Sequence, residues 1–243
     1  MGQTQQAVAE AAAHVLGGHA RGRAPSQPGQ RGQPGQSGPH AGQEDSYDLA
    51  LWKELAQAGL LGLAVPGSLG GEGLGVAETA VVLTEAGRAA AGVPALATLA
   101  MGVLPVTRWG SGEQQQALLA GVAAGDTLLT AAIREPSVPM PTAPATALRD
   151  GGGAGGGTVS GVKIGVPHAA AANWILVPAS FGSGGAAIAV VGASAPGVTL
   201  KLRFGAYRCY GAVVALVAIA FSAPDIALTG ALVESLSPWR WAR

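Results

Sequence analysis

Apolar positions along the chain fall into two regimes. In the first half they recur at three- and four-residue spacing. Val8, Ala11, Ala12, Val15 and Leu16 mark one helical face, and Leu51, Trp52, Leu55 and Ala58 mark another. The first helix is predicted over residues 3–18, ended by Gly17 and Gly18; the second starts at a Ser46 or Asp48 cap and stops with Gly59 in the C′ position. Between them, residues 21–43 are almost wholly Gly, Pro, Gln, Ser, Arg and His. Such a stretch buries too little apolar surface to offset its ordering entropy, so it reads as a flexible linker. Further helices are predicted over residues 76–90 and 93–109. A last one opens at Ser111, whose pairing with Gln114 makes a capping box, and ends near Gly121 or Gly125.

After Asp126 the period changes. Residues 127–133, 158–163, 174–178, 186–191 and 211–221 are short apolar runs divided by Gly and Pro clusters, the pattern of strands. A helical block followed by a β block predicts segregated α and β parts, an α+β fold with an antiparallel β domain, rather than an alternating βαβ sheet. The cluster at 151–157 satisfies a dinucleotide glycine pattern trivially, and 70–75 is also glycine-rich. Neither follows a strand and opens a helix with an acidic residue at the required distance, so both read as turns, the first as a hairpin connection.

Composition narrows the function classes. The chain has 243 residues, 49% of them hydrophobic but only 5% aromatic, with 39 glycines, so its cores are expected to pack small side chains closely. Lys plus Arg and Asp plus Glu balance at 14 each with no basic run, which leaves no footprint for nucleic acid or an anionic membrane. Cys209 is the sole cysteine, which excludes an internal disulfide and suits a reducing compartment. No secretory signal is legible at the N-terminus, and the apolar stretch 209–224 falls short of the ~20 residues a spanning helix needs. A soluble cytoplasmic protein with no membrane span is therefore expected. The four histidines have no zinc-like spacing, so no metal is expected, and no Gly-x-Ser-x-Gly elbow supports a hydrolase. Glu85 and Arg88 are placed for a local ion pair. Lys163 reads as a solvated strand residue.

Several segments, taken in order, resemble the acyl-CoA dehydrogenase family, particularly its bacterial lipid- and steroid-degrading members. Residues 51–71, LWKELAQAGLLGLAVPGSLGG, are similar to the family's helix and loop ending in "VPEEYGG"; residues 73–93, GLGVAETAVVLTEAGRAAAGV, are similar to its "GLG…E…EELGR" helix. Residues 109–126 resemble the helix that closes the family's α domain. In the β block, residues 130–136, TAAIREP, stand where the family has a strand ending in "TEP". Gly161 to Lys163 with Val166 and Pro167, then residues 172–179, resemble "SG.K..VP…AD.ILVPA", and APGVT at 195–199 is a recurrent strand start.

The resemblance implies a flavoenzyme chain with a helical N-terminal domain, a β-barrel-like middle domain and a C-terminal four-helix bundle. On it the chain divides into a first helix and linker (1–45), the N-domain (46–126), the middle domain (127–224) and a short start of the bundle (225–243). Residues 235–243, SLSPWRWAR, do not continue the bundle pattern, so a truncated or frameshifted end is expected. The implied reaction is FAD-dependent α,β-dehydrogenation of an acyl-CoA thioester by a homo- or hetero-oligomer, with the flavin accepting a hydride and a bundle glutamate removing the α-proton. No catalytic residue is assigned in this chain, whose isolated form is expected to be inactive. The implied cofactor-binding positions are Ile133, Arg134, Gly165, Val166 and Pro167. Here the sequence departs from the family: Arg134 replaces a Thr or Ser, and Gly165 and Pro167 stand where an aromatic and a hydroxyl residue are usual. These departures are compatible with a second expectation, a non-catalytic partner subunit of a heteromeric acyl-CoA dehydrogenase.

Overall fold

The computed structural model describes residues 2–22, 47–136, 144–150, 157–182 and 185–203, and the short stretches 208–209, 212–213, 216–223 and 227–228, the latter as backbone. The expected linker, apart from the end of the first helix, and the segment 235–243 lie outside the described residues.

Helix α1, Gln3–Gly22, buries Val8, Ala12 and Leu16, one residue per turn. It continues past the predicted stop. A helix anchored through Leu16 absorbs Gly17 and Gly18, each of which costs only about 1 kcal/mol relative to alanine. Helix α2, Leu49–Gln57, is capped by Asp48, whose carboxylate accepts from the Leu51 N–H at 3.1 Å, and it ends with Gly59 at φ +74°. Leu51, Trp52 and Leu55 fill the core beneath it. A loop then folds onto itself, with the N–H groups of Glu72, Gly73 and Leu74 donating to the carbonyls of Gly62, Val65 and Leu63.

Helix α3, Val76–Arg88, carries the expected Glu85–Arg88 ion pair. The helix predicted over 93–109 changes pitch partway. Leu96–Val103 is π-helical and Leu104–Trp109, α4, is α-helical. The cause lies at Pro105, which has no N–H to give to the fourth carbonyl back; just before it, the Leu104 N–H reaches one residue further, to Leu99. Helix α5, Gly112–Leu119, has the predicted capping box: the Gln114 N–H donates to Ser111 Oγ at 3.3 Å, and the Ser111 N–H to Gln114 Oε1 at 2.9 Å.

The β block is a curled, half-barrel sheet. Its strands are β1 (Leu129–Ala131), β2 (Ala147–Asp150), β3 (Gly157–Val166), β4 (Trp174–Phe181), β5 (Gly185–Gly192), β6 (Val198–Arg203), β9 (Leu216–Ala223) and β10 (Ala227–Leu228), while β7 (Arg208–Cys209) and β8 (Ala212–Val213) form a separate ribbon. The α+β, β-barrel-like architecture is the expected one, and most of its pairings are antiparallel. Two are parallel, since both β1 and β2 run alongside β4 in the same direction. Strand β2, ALRD, has no period-two apolar run to announce it; Leu148 is its buried side chain. It pairs antiparallel with β3, Asp150 opposite Gly157, and the expected connection between them lies outside the described residues.

Helices and sheet share a core. Leu129, Ala131, Leu176 and Val190 pack with Val103, Val106, Leu118 and Leu119. Gly102 permits this approach, because a Cβ there would run into the Leu129 Cβ. Thr98 Oγ1 also donates to the Leu129 carbonyl at 3.2 Å. Among the described residues no helix is long and apolar enough to cross a membrane.

Candidate functional site

Strand β1 runs on through Ala132, whose N–H donates to the Leu176 carbonyl at 2.8 Å, and the chain continues through Ile133 and Arg134 to Glu135 beside the end of β3. Lys163 pairs with Ile219 and Val166 with Val217, so the two strands lose register between these pairs, with Ile164 and Gly165 in the bulge. Gly165 has φ +63°, a conformation that favours glycine.

The bulge turns the Ile164 N–H towards the Arg134 carbonyl, 2.9 Å away. Thr130 Oγ1 donates to the Pro167 carbonyl at 2.7 Å. Beyond Pro167, His168 sits at φ +51° and its ring meets Tyr47 edge-on at 6.2 Å, which ties this turn to the start of α2.

The structure therefore sets the two segments that carry the predicted positions, 133–134 and 165–167, side by side as one strip held by the Ile164–Arg134 hydrogen bond, with the Ile133 side chain packed on the core between helices and sheet. Arg134 is exposed, Ile133, Gly165 and Pro167 are half-buried, and Val166 is fully buried. The Val166 side chain belongs to the β core, so it offers the strip its backbone alone.

Beneath the strip lies a feature that sequence reasoning missed. Lys163, expected to be solvated, is fully buried and donates to Glu135 Oε1 at 2.8 Å. The same oxygen accepts from the Thr146 N–H at 2.9 Å and Thr146 Oγ1 at 2.7 Å, and Oε2 accepts from the Ala145 N–H at 2.7 Å. Gly161 makes room for Thr146, because a Cβ at 161 would stand 2.6 Å from its Oγ1 and 2.8 Å from its Cα. The signal for Lys163 was the strand's own period: counting by two from buried Val159 reaches Gly161 and Lys163 on the inward face. Val162, on the other face, is 44% exposed.

Burial alone raises the pKa of the Glu135 carboxyl, but the Lys163 ammonium, the Thr146 hydroxyl and the two backbone N–H groups outweigh it and hold the value down at about 2. Burial pulls the Lys163 ammonium downward, with Glu135 opposing. A carboxylate held by four donors is a poor proton acceptor at neutral pH. Glu135 is an anchor, not a base.

The strip itself is chemically sparse. Its five side chains include no hydroxyl and no aromatic ring, and its charged group is the Arg134 guanidinium. Among the described residues no three His, Cys, Asp or Glu gather where they could hold a metal ion.

Residues 38–126 match the family described as acyl-CoA dehydrogenase, N-terminal domain. The chain is similar to acyl-CoA dehydrogenase FadE28 of Mycobacterium tuberculosis, with 44% identity over 61% of this chain and 40% of the relative. Among solved structures, the Tcur3481-Tcur3483 steroid ACAD variant matches at 30% identity with a TM-score of 0.75, over 94% of this chain and 58% of the other. The ChsE4-ChsE5 complex from Mycobacterium tuberculosis shares the fold, at 23% identity and a TM-score of 0.76, over 98% of this chain and 59% of the other. The chain thus spans 40% of the curated relative's length and less than two thirds of either solved chain.

Proposed function

Since this chain is a member of the acyl-CoA dehydrogenase family, we propose that it forms one wall of a flavin site in an FAD-dependent enzyme that dehydrogenates acyl-CoA thioesters at their α,β-carbons. FAD is the family's cofactor; when bound, it supplies the acceptor for the hydride leaving the β-carbon. The observation that carries the reading is the convergence of 133–136 and 163–167 on one strip, fixed by the Ile164–Arg134 hydrogen bond and the Glu135–Lys163 pair.

In this reading Ile133, Gly165 and Pro167 offer a low, apolar edge, and the backbones of Arg134 and Val166 offer donors and acceptors. In this reading residues 46–126 are the helical domain on which this wall stands and residues 127–224 the middle domain that carries it, with Ala227 and Leu228 still paired to β5 in the same sheet. No described carboxylate serves as the α-proton acceptor at the strip, because Glu135 is committed to its four donors. In this reading the strip by itself holds FAD weakly, and the α-proton acceptor and the rest of the flavin site come from outside the described residues.

Arg134 favours a second reading, in which the chain is a non-catalytic partner in a heteromer with an active acyl-CoA dehydrogenase subunit. A guanidinium brings positive charge and bulk where the strip is otherwise small and neutral.

Titrating the purified chain with FAD while following flavin fluorescence, for wild type and Arg134→Thr, tests both. The first reading predicts weak saturable quenching that tightens in the variant. Quenching in neither chain contradicts it and supports the partner role.

A further inference from the structure

The buried pair asks for an explanation beyond stability. Taking two charges out of water is costly, and apolar residues of similar volume commonly do as well or better for stability alone. What the pair does in space is specific. Glu135 follows directly on Arg134, and Lys163 directly precedes the Ile164–Gly165 bulge, so the bond joins the roots of the strip's two edges. The remaining lone pairs of the carboxylate are taken by the Ala145 and Thr146 N–H groups and the Thr146 hydroxyl, at the entry to β2. Three stretches distant in sequence thus meet on one side chain.

We propose that the Glu135–Lys163 pair is a positioning device that locks the 133–136 edge and the 163–167 bulge in one register, so that the strip is preformed before any cofactor arrives. This rests on the flavin reading above for what the strip holds, but the lock itself belongs to the protein alone. Its polarity is fixed. A carboxylate at 135 accepts from two backbone N–H groups as well as from Lys163, whereas a lysine at 135 would aim donors at donors. A simple charge pair tolerates reversal; this one does not.

The test uses the full chain in four forms: wild type, Glu135→Gln, the double variant Glu135→Gln/Lys163→Met, and the reversed pair Glu135→Lys/Lys163→Glu. Three quantities are read on each: the thermal midpoint, amide hydrogen exchange at Ala145, Thr146 and Ile164, and FAD affinity by fluorescence titration. The double variant removes both charges and keeps an acceptor at 135, so it is expected to melt close to wild type. Its Ala145, Thr146 and Ile164 amides are expected to exchange at least about tenfold faster, through local opening, with FAD affinity falling by about the same factor. The near-isosteric single variant Glu135→Gln keeps the test alive if the double variant fails to fold, and should show the same loss of protection. The reversed pair should restore neither protection nor affinity.

Wild-type exchange in the double variant, or full rescue by the reversed pair, overturns the proposal, as does faster exchange with unchanged FAD affinity. If wild type itself gives no FAD response, the flavin reading fails on that arm, and the exchange arm still decides whether the pair is a lock.

Discussion

Single residues in this chain are placed by backbone geometry as much as by polarity. Ala90 follows α3 at φ +47°, in the left-handed position where its N–H reaches the Gly87 carbonyl and the next N–H reaches Ala86. Glycine takes that conformation without strain, so Ala90→Gly should stabilise the chain by about 0.5–1 kcal/mol in urea denaturation, despite its greater freedom when unfolded. Gly161 is the opposite case. Gly161→Ala presses on Thr146 and should cost about 1–3 kcal/mol by the same measurement. Glu135 sets an acid limit. Its folded pKa of about 2 lies below the ordinary 4.5, so its stabilising contribution is present above pH 4.5 and is lost as pH falls from there towards 2. Wild type should therefore exceed Glu135→Gln in stability at pH 7, with the gap narrowing as pH falls below 4.5 and closing only towards pH 2. A gap that stays constant with pH would contradict this account.

At the scale of elements, the helical half was legible because its apolar faces repeat cleanly and its caps carry their own chemistry, as at Asp48 and Ser111. What escaped depended on contacts distant in sequence. The glycines at 17 and 18 read as a stop, yet α1 is already docked through Leu16 and continues. Strand β2 has too few residues to show a period and exists because β3 and β4 flank it. Lys163 was misread because the rarity of buried lysines was weighed above strand alternation, and its partner is 28 residues away. The two edges of the strip were found through family resemblance, since nothing in their periodicity announces a cofactor. The packing of helix on sheet makes a sharp prediction about two helical glycines. A methyl group added at Gly87 would meet nothing within 4 Å, so Gly87→Ala should raise stability by about 0.5–1 kcal/mol. Gly102 lies against Leu129, so Gly102→Ala should lower it and shift the near-ultraviolet circular dichroism. Equal effects of the two substitutions would mean that the π-helical segment does not pack on β1 as described.

For the whole molecule, the helical part and the half-barrel share one core, and the proposed flavin wall stands where the chain beyond β1 meets the bulge of β3. The central claim is that these residues build that wall without completing the site. Its most direct test is the visible absorption spectrum of the gel-filtered chain after incubation with FAD, alone and co-expressed with an acyl-CoA dehydrogenase subunit that carries a C-terminal bundle. No retained flavin band is expected for the chain alone, and a retained band is expected in the co-purified assembly. A stoichiometric flavin band from the chain by itself would contradict it.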